Sequence, residues 1–318
     1  TGPAEVFGHI LGTAFDPARL VESLGERWEI DGVEVEVTHL DKVLWPAEGL
    51  TKRDLLDYYR HVGPAMLPYL PGRPVTLRVF PDGIEQPGHY QRNAPARLPG
   101  WLRTAPYRPQ TTGQERRLPL IEHVAGLIWY ANRGAIEFHQ WHARVERPDY
   151  PDWAIFDLDP GPRAGYERVL RVALLVRERL AREKLTALPK TSGGSGLHLF
   201  LPLEPVHPVE AVRAWVHGLA EELSREHPDL VATGDGATHD EDERVTIDHA
   251  QNSLARNTAA PFTLRARPGA PASTPLAWEE VEEGQVRPEH FTIRTLPQRL
   301  DTVGDPWARA TIQPQRLP

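Results

Sequence analysis

Two carboxylates one residue apart, Asp157 and Asp159, follow the apolar run Trp153-Ala154-Ile155-Phe156. In an extended strand, residues i and i+2 share a face, so both acids project together while Leu158 turns to the buried side. Pro160 and Gly161 then break the strand. Side-by-side carboxylates repel each other unless a cation sits between them. Hard divalent cations such as Mg²⁺ or Mn²⁺ prefer oxygen ligands of this kind. The bland alternative is a pair of solvated acids at a strand end, and a single Asp-x-Asp does not choose between the two.

Three further groups bear on that choice. Thr191-Ser192-Gly193-Gly194-Ser195-Gly196-Leu197-His198 packs three glycines and three hydroxyls into a turn between two strands. Glycines let backbone N–H groups approach an anion, and hydroxyls add donors, so the turn reads as a phosphate cradle with His198 at its exit. An ordinary hairpin loop is the competing assignment. Asp248 ends the run Val245-Thr246-Ile247 and precedes Gln251 and Asn252. With Asp157 and Asp159 it would complete a three-carboxylate site of the type that runs two-metal phosphoryl transfer. In Ile136-Glu137-Phe138-His139, alternation puts Glu137 and His139 on one face and Phe138 on the other.

The elements that must hold these groups follow from periodicity. Strands are expected at Val33–Val37, Pro74–Phe80, Ala135–Trp141, around Asp157, at Leu185–Lys190, Leu197–Leu203 and Arg244–Asp248. Helices are expected near Pro17–Leu24 and at Thr51–Leu70, Leu118–Asn132, Gly165–Lys184 and Val209–Glu226. Thr51 is a natural N-cap, with Asp54 three residues on. The tail from Pro268 is Pro-rich and reads as irregular chain wrapping the core. Strands and helices alternate without an internal repeat, as in an α/β or α+β enzyme-like fold.

Composition narrows the class. The chain has 318 residues, 40% of them hydrophobic, enough for one large domain or two packed lobes. It has no cysteine, which excludes disulfides and thiolate metal sites and fits a reducing cytoplasm. No apolar run approaches a membrane span, and no secretory leader is visible. The first residue is Thr, as expected of a chain processed or excised from a longer one. The formal net charge of −8 argues against nucleic acid as a partner, but the charge is uneven. Gln86 to Gln114 holds no acid and interleaves Arg92, Arg97, Arg103 and Arg108 with His89, Tyr90, Trp101 and Tyr107. Arginines neutralise phosphates and aromatic rings stack on bases. Asp235 to Glu243, by contrast, holds five acids.

From about Val37 to Trp278 the chain resembles the polymerase domain of bacterial DNA ligase D, in the archaeo-eukaryotic primase superfamily. The resemblance rests on ordered segments: Asp41-Lys42-Val43-Leu44-Trp45-Pro46, Gly72-Arg73-Pro74-Val75-Thr76, the Glu137–His139 strand, Phe156–Pro160, Ser192–His198, Ile247–Asn252 and Thr258–Arg265. It implies a mixed α+β primase-polymerase core with an RRM-like antiparallel or mixed sheet, and a second packed N-terminal α/β subdomain. Its implied limits are an extension at 1–30, a primase-polymerase domain at 31–295 divided near 130, and a tail at 296–318.

The resemblance also implies roles. Asp157, Asp159 and Asp248 would hold two Mn²⁺ or Mg²⁺ ions. Arg78, His139, Ser192, His198 and Arg265 would bind nucleotide phosphates, and Gln251 would lie near the incoming sugar or triphosphate. Tyr90, with His89, would stack on a base. Lys42 and Lys52 would grip the 5′-phosphate of a broken or gapped DNA end. The implied activity is template-directed addition of nucleotides, with ribonucleotides favoured, to a primer 3′ end during end joining. Ku and a separate ligase would be partners, and the place of action the cytoplasm at the nucleoid.

Some positions depart from the family pattern. Ser195 stands where a lysine is common, His89 replaces a Phe, and His239-Asp240-Glu241-Asp242-Glu243 is acidic where a basic stretch is usual. No Lys-x-Asp-Gly motif is present, so no ligase chemistry is expected of these residues. Two other functions compete. A haloacid-dehalogenase-like phosphatase would use Asp157, Asp159, Thr191 and a Gly234-Asp235…Asp240 element. A DNA-end-binding module with weak or lost synthesis would keep the two lysines and the basic aromatic stretch.

Overall fold

A computed structural model of the chain describes residues 25–109, 113–234, 242–310 and 313–318. The helix expected near Pro17–Leu24 and the acids Asp235 to Glu241 lie outside these residues. The described chain opens with a hairpin, β1 (Glu26–Ile30) and β2 (Val33–Val37), then a short pair, β3 (Val43–Trp45) and β4 (Leu50–Thr51). Helix α1 (Lys52–Met66) leads to β5 (Val75–Val79), β6 (His89–Gln91), β7 (Arg103–Tyr107) and β8 (Arg116–Leu120). Next come α2 (Val124–Ala131), β9 (Ala135–Trp141), β10 (Trp153–Pro160), α3 (Tyr166–Arg182), β11 (Leu188–Thr191), β12 (Leu197–Pro202) and α4 (Val209–Glu226). The chain ends through β13 (Val231–Thr233), β14 (Val245–Asp248), β15 (Asn257–Ala259), α5 (Trp278–Glu283), α6 (Thr295–Val303) and α7 (Pro306–Ala310).

Two sheets carry the site. One has the strand order β11-β12-β10-β14-β13 and the other β15-β9-β5-β6. All pairings are antiparallel except β13 with β14. The apolar faces of α3 and α4 bury Val169, Val176, Leu180, Val212, Val216 and Leu219 against Phe156, Leu158 and Leu197 of the first sheet. A second core gathers Leu55, Tyr59 and Val62 of α1 with Leu127, Ile136 and Phe138 around the other sheet. Each such side chain contributes about 1.5–3 kcal/mol by leaving water, so neither sheet lacks a foundation.

Helix α1 starts as its cap predicts. Thr51 Oγ1 accepts from the Asp54 N–H, and the Asp54 carboxylate accepts from the Thr51 N–H at 2.7 Å. Its end differs from the expectation, because Leu67–Tyr69 tightens into a 3₁₀ turn with Pro68 in its first positions. The expected helix 118–132 begins only at Val124, since Leu118–Leu120 belong to β8. Pro119 has no N–H to give a helix, and in a two-stranded ribbon with Pro106 its missing donor is tolerated. The first sheet's edge strand begins at Leu188 rather than at Leu185.

The tail is less irregular than its prolines suggest, because it contains α5, α6 and α7. Trp307 of α7 buries against Trp153, Ile155, Leu188 and Phe200, and its indole N–H donates to the Pro189 carbonyl at 2.8 Å. Trp153 and Ile155 share the face of β10 that carries Asp157 and Asp159. The tail thus covers the lower half of that face and leaves the two carboxylates at its open end. Among the described residues no helix is long and apolar enough to cross a membrane.

Candidate active site

The β10 alternation places Phe156 and Leu158 in the core and turns Asp157 and Asp159 to the opposite face. Asp248 is the direct ladder partner of Asp157, and Leu158 pairs with Ile247. Burial and the Asp248 charge raise the Asp157 carboxyl to about 7, against the opposing pull of Lys190, Arg265 and Gln251. Burial and the charges of Asp157 and Asp248 raise Asp159 to about 7. The Asp159 side chain is open to solvent, so screening weakens its share, whereas Asp157 is 6% exposed and feels its neighbours fully.

Asp157 Oδ1 is a buried oxygen without a hydrogen bond. His198 Nε2 stands 3.2 Å from it but off the line of one. Three acids on adjacent strands, two of them with raised pKa and one oxygen left over, form a donor set suited to a hard divalent cation. Among the described residues no three acidic or imidazole groups already converge on one point. Asp248 contributes to that, since its Oδ1 accepts from the Ala250 N–H at 2.8 Å and caps the turn His249–Asn252.

The Gly/Ser turn lies beside this pair. Ser192 Oγ accepts from the N–H groups of Gly194 and Gly196 at 3.1 and 3.2 Å, so both donors converge on one point. Gly196 must be glycine, because a Cβ there would stand 2.4 Å from the Leu158 carbonyl oxygen. Gly193 has φ +73° and a Cβ would meet the Arg265 side chain at 2.6 Å. These two glycines let the turn close onto the carboxylate strand.

His198 opens β12 opposite Asp157 in the ladder. Its Nδ1 accepts from Lys190 Nζ at 2.8 Å. That bond leaves Nε2 as the protonated nitrogen and aims it at the carboxylates. Lys190 has no exposed surface, and burial holds its ammonium pKa well below the usual lysine range, as does the Arg265 charge, with Asp157 opposing. Burial likewise pushes His198 well below the usual imidazole value, helped by Lys190.

Glu137, with no exposed surface, organises the other wall. His139 Nε2 is 2.8 Å from its Oε2, Arg265 Nε donates to Oε2 at 3.0 Å, Arg78 donates to Oε1 at 3.1 Å and the Ala266 N–H donates to Oε1 at 3.0 Å. Burial pushes the Glu137 carboxyl up, but the His139 bond, the Arg265 and His139 charges and the Ala266 N–H outweigh it and bring the carboxyl to about 2. Burial lowers His139 against the pull of Glu137.

Tyr90, His139, Asp157, Asp159, Ser192, His198, Gln251 and Arg265 line one cavity of about 630 Å³. Asp248 backs it through the ladder. Arg78 sits behind its rim, with its guanidinium carbon 5.6 Å from the Tyr90 ring centre. Tyr90 is 55% exposed, an aromatic ring at the mouth. His89 precedes it in β6, pairs with Val79 and is exposed. The side chain of Arg92 stands 5.8 Å from the Tyr90 ring and also lines the cavity.

Lys42 and Lys52 lie apart from this cavity and beside each other, where the Lys52 N–H donates to the Lys42 carbonyl at 2.8 Å. Lys42 Nζ meets Asp82 at 2.6 Å, and Lys52 Nζ donates to the Thr38 carbonyl at 2.6 Å. Burial, Lys42 and Arg133 bring the Lys52 ammonium down to about 8.

Three participants escape sequence reasoning: Glu137 as the hub, Lys190 and Arg267. The spacing of Glu137 and His139 on one face hinted at the first. Lys190 lies inside an apolar strand and Arg267 immediately before the Pro-rich tail. Thr191, which a phosphatase would need, is fully buried. Its hydroxyl donates to the Ala272 carbonyl and accepts from the Thr274 N–H, so it does not face the cavity.

Residues 51–307 match the family model described as the LigD primase-polymerase domain. The multifunctional non-homologous end joining DNA repair protein LigD of Mycobacterium tuberculosis is 34% identical over 263 residues, 80% of this chain. The LigD protein of Pseudomonas aeruginosa is 31% identical over 286 residues, 89% of this chain. The chain spans about a third of the length of these relatives, 34% in each case. Among solved structures, the polymerase domain of Mycobacterium tuberculosis ligase D in complex with DNA superposes with a TM-score of 0.80 at 32% identity. That match covers 88% of this chain and 99% of the other.

Proposed function

This chain belongs to the LigD primase-polymerase family, and on that premise we propose that it adds nucleotides to primer 3′ ends at broken or gapped DNA. The observation that carries this reading is one cavity lined by Asp157, Asp159 and the Ser192–Gly196 turn, with Asp248 paired to Asp157 across the ladder behind it. Asp157, Asp159 and Asp248 would hold two Mn²⁺ or Mg²⁺ ions, which when bound supply charge stabilisation and a more acidic 3′-hydroxyl. Ser192 Oγ, held by the N–H groups of Gly194 and Gly196, is arranged to donate its hydroxyl proton to a phosphate oxygen. His198 Nε2 offers a further donor beside the carboxylates. Glu137 keeps Arg78, His139 and Arg265 oriented, so the wall needs little rearrangement when substrate enters. Tyr90 provides a stacking face, and Gln251 lies where a sugar or phosphate would pass.

Lys42 and Lys52 suit the 5′-phosphate of the downstream strand. Ribonucleotide preference, partnership with Ku and a separate ligase, and action in the cytoplasm at the nucleoid are further parts of this proposal.

Primer extension on a gapped, 5′-phosphorylated duplex with Mn²⁺ tests it. Incorporation that Asp157→Ala abolishes is the expected result. One observation favours a weaker enzyme that chiefly binds DNA ends: Arg244, the basic residue ahead of Asp248, is held by both carboxylate oxygens of Asp242 at 2.9 and 2.8 Å. Tight 5′-phosphate-dependent binding without incorporation would establish that second reading.

A further inference from the structure

The Ser192–Gly196 turn carries no cation of its own. Arg265, which flanks it, is already committed. Its Nε donates to Glu137, and its Nη1 donates to the Ser192 carbonyl at 2.7 Å. Two residues further, Arg267 lies over the turn. A Cβ built on Gly194 would stand 3.1 Å from Arg267 Nη1 and 3.2 Å from its Cζ. The Arg267 backbone is anchored: its carbonyl accepts from the indole N–H of the fully buried Trp45 at 3.0 Å and from the Ala270 N–H at 3.0 Å. Its side chain is exposed into the cavity; among the described residues its guanidinium makes no hydrogen bond or close ion pair, and the carboxylate that feels its charge is Asp159.

The turn has a direction. Its Gly196 end touches the carboxylates, since a Cβ there would stand 3.2 Å from Asp159 Oδ1. Its Gly194 end lies under Arg267. A chain of phosphates that starts at the carboxylates and runs along the turn from Gly196 to Gly194 therefore ends beneath the Arg267 guanidinium. A planar guanidinium takes phosphate oxygens two at a time, which a side chain tied to a carboxylate cannot do.

We propose that Arg267 binds the terminal phosphates of the incoming nucleoside triphosphate and the pyrophosphate that leaves. This rests on the polymerase reading, in which the primer 3′-oxygen bonds to the α-phosphorus and the α-phosphorus–oxygen bond to pyrophosphate breaks. Gly194 is part of the device, because a Cβ there would force the guanidinium to give way by a few tenths of an ångström.

The test compares wild type with Arg267→Ala, Arg267→Lys and Gly194→Ala in primer extension with ATP, and measures inhibition by added inorganic pyrophosphate. Arg267→Ala is expected to raise KM for ATP about tenfold, more than it lowers kcat, and to weaken pyrophosphate inhibition by a similar factor. Arg267→Lys should fall between, and Gly194→Ala should raise KM in the same direction but by less, although the charge is kept. Affinity for the gapped duplex without nucleotide should stay at the wild-type value. Unchanged KM and unchanged pyrophosphate inhibition in Arg267→Ala overturn the proposal, as does a loss confined to DNA affinity. If wild type does not extend primers, the polymerase reading fails, and calorimetric titration with inorganic pyrophosphate decides the site alone. Binding that Arg267→Ala removes upholds it, and equal or absent binding overturns it.

Discussion

Asp248 stands directly across the antiparallel ladder from Asp157, residue against residue, so two acids face each other where strands favour opposite charges. The facing charges are unfavourable for the fold until a cation arrives, although Asp248 also caps the turn that follows it, a bond that Asn can keep. Asp248→Asn should therefore raise the stability of the chelator-treated protein by about 1 kcal/mol. The same change should lower primer extension on the order of a hundredfold or more. Urea melts in EDTA and extension rates in Mn²⁺ check both halves. Loss of stability together with activity would mean that Asp248 serves the fold instead.

The buried Asp157 carboxyl titrates at about 7 in the folded chain but near 3.9 when unfolded. Between those values the folded state holds the proton more tightly. Stability in EDTA must then be highest below the unfolded pKa and fall as pH rises through about 7. The slope should reach about 1 kcal/mol per pH unit, with Asp159 adding less because water screens it. Saturating Mn²⁺ binds the ionised form, so its stabilisation grows over the same window. Melting curves at pH 5.5, 6.5 and 7.5 with EDTA or Mn²⁺ check this, and Asp157→Asn should flatten the EDTA slope.

Glu137 holds two arginines, His139 and a backbone N–H while fully buried. Glu137→Gln keeps the shape but removes the charge they converge on. Breaking a buried pair of this kind costs about 3–5 kcal/mol. Denaturant unfolding at pH 7 should show that loss. Nucleotide KM should rise even at temperatures where the variant is fully folded, since Arg265 would no longer be fixed.

Lys52 loses its proton at about 8. The preference for a 5′-phosphate over a 5′-hydroxyl end should weaken as pH rises from 7 to 9. Lys52→Arg, which stays charged, should keep the preference through that range. Fluorescence anisotropy with the two duplex ends measures it, and a preference that does not change with pH in wild type would remove Lys52 from the contact.

Much of the site is legible before any fold is known, because it obeys period two. The shared face of Asp157 and Asp159, the core side of Leu158 and the pairing of Glu137 with His139 follow from strand alternation alone. The Thr51 cap and helix α4 follow from local chemistry. Register is different: nothing local says that Asp248 lands opposite Asp157 across 91 positions of sequence. Lys190 resists prediction because a lysine in an apolar strand reads as a strand-end charge, whereas here His198 and Ser273 bind it in the core. Leu118–Leu120 mislead because apolar residues beside a true helix share its periodicity. The tail misleads because its helices are shorter than the windows in which helical periodicity shows.

The cavity walls are rooted in separate cores. Asp157, Asp159 and His198 rise from strands packed under α3 and α4, while Glu137, His139 and Arg265 belong with the core around α1 and α2. A substrate lying between them touches both foundations at once and acts as a crosslink. Unfolding of one core would then release the ligand and weaken the other. Occupancy should therefore sharpen the melting transition as well as raise its midpoint, making the bound chain a more cooperative unit than the free one.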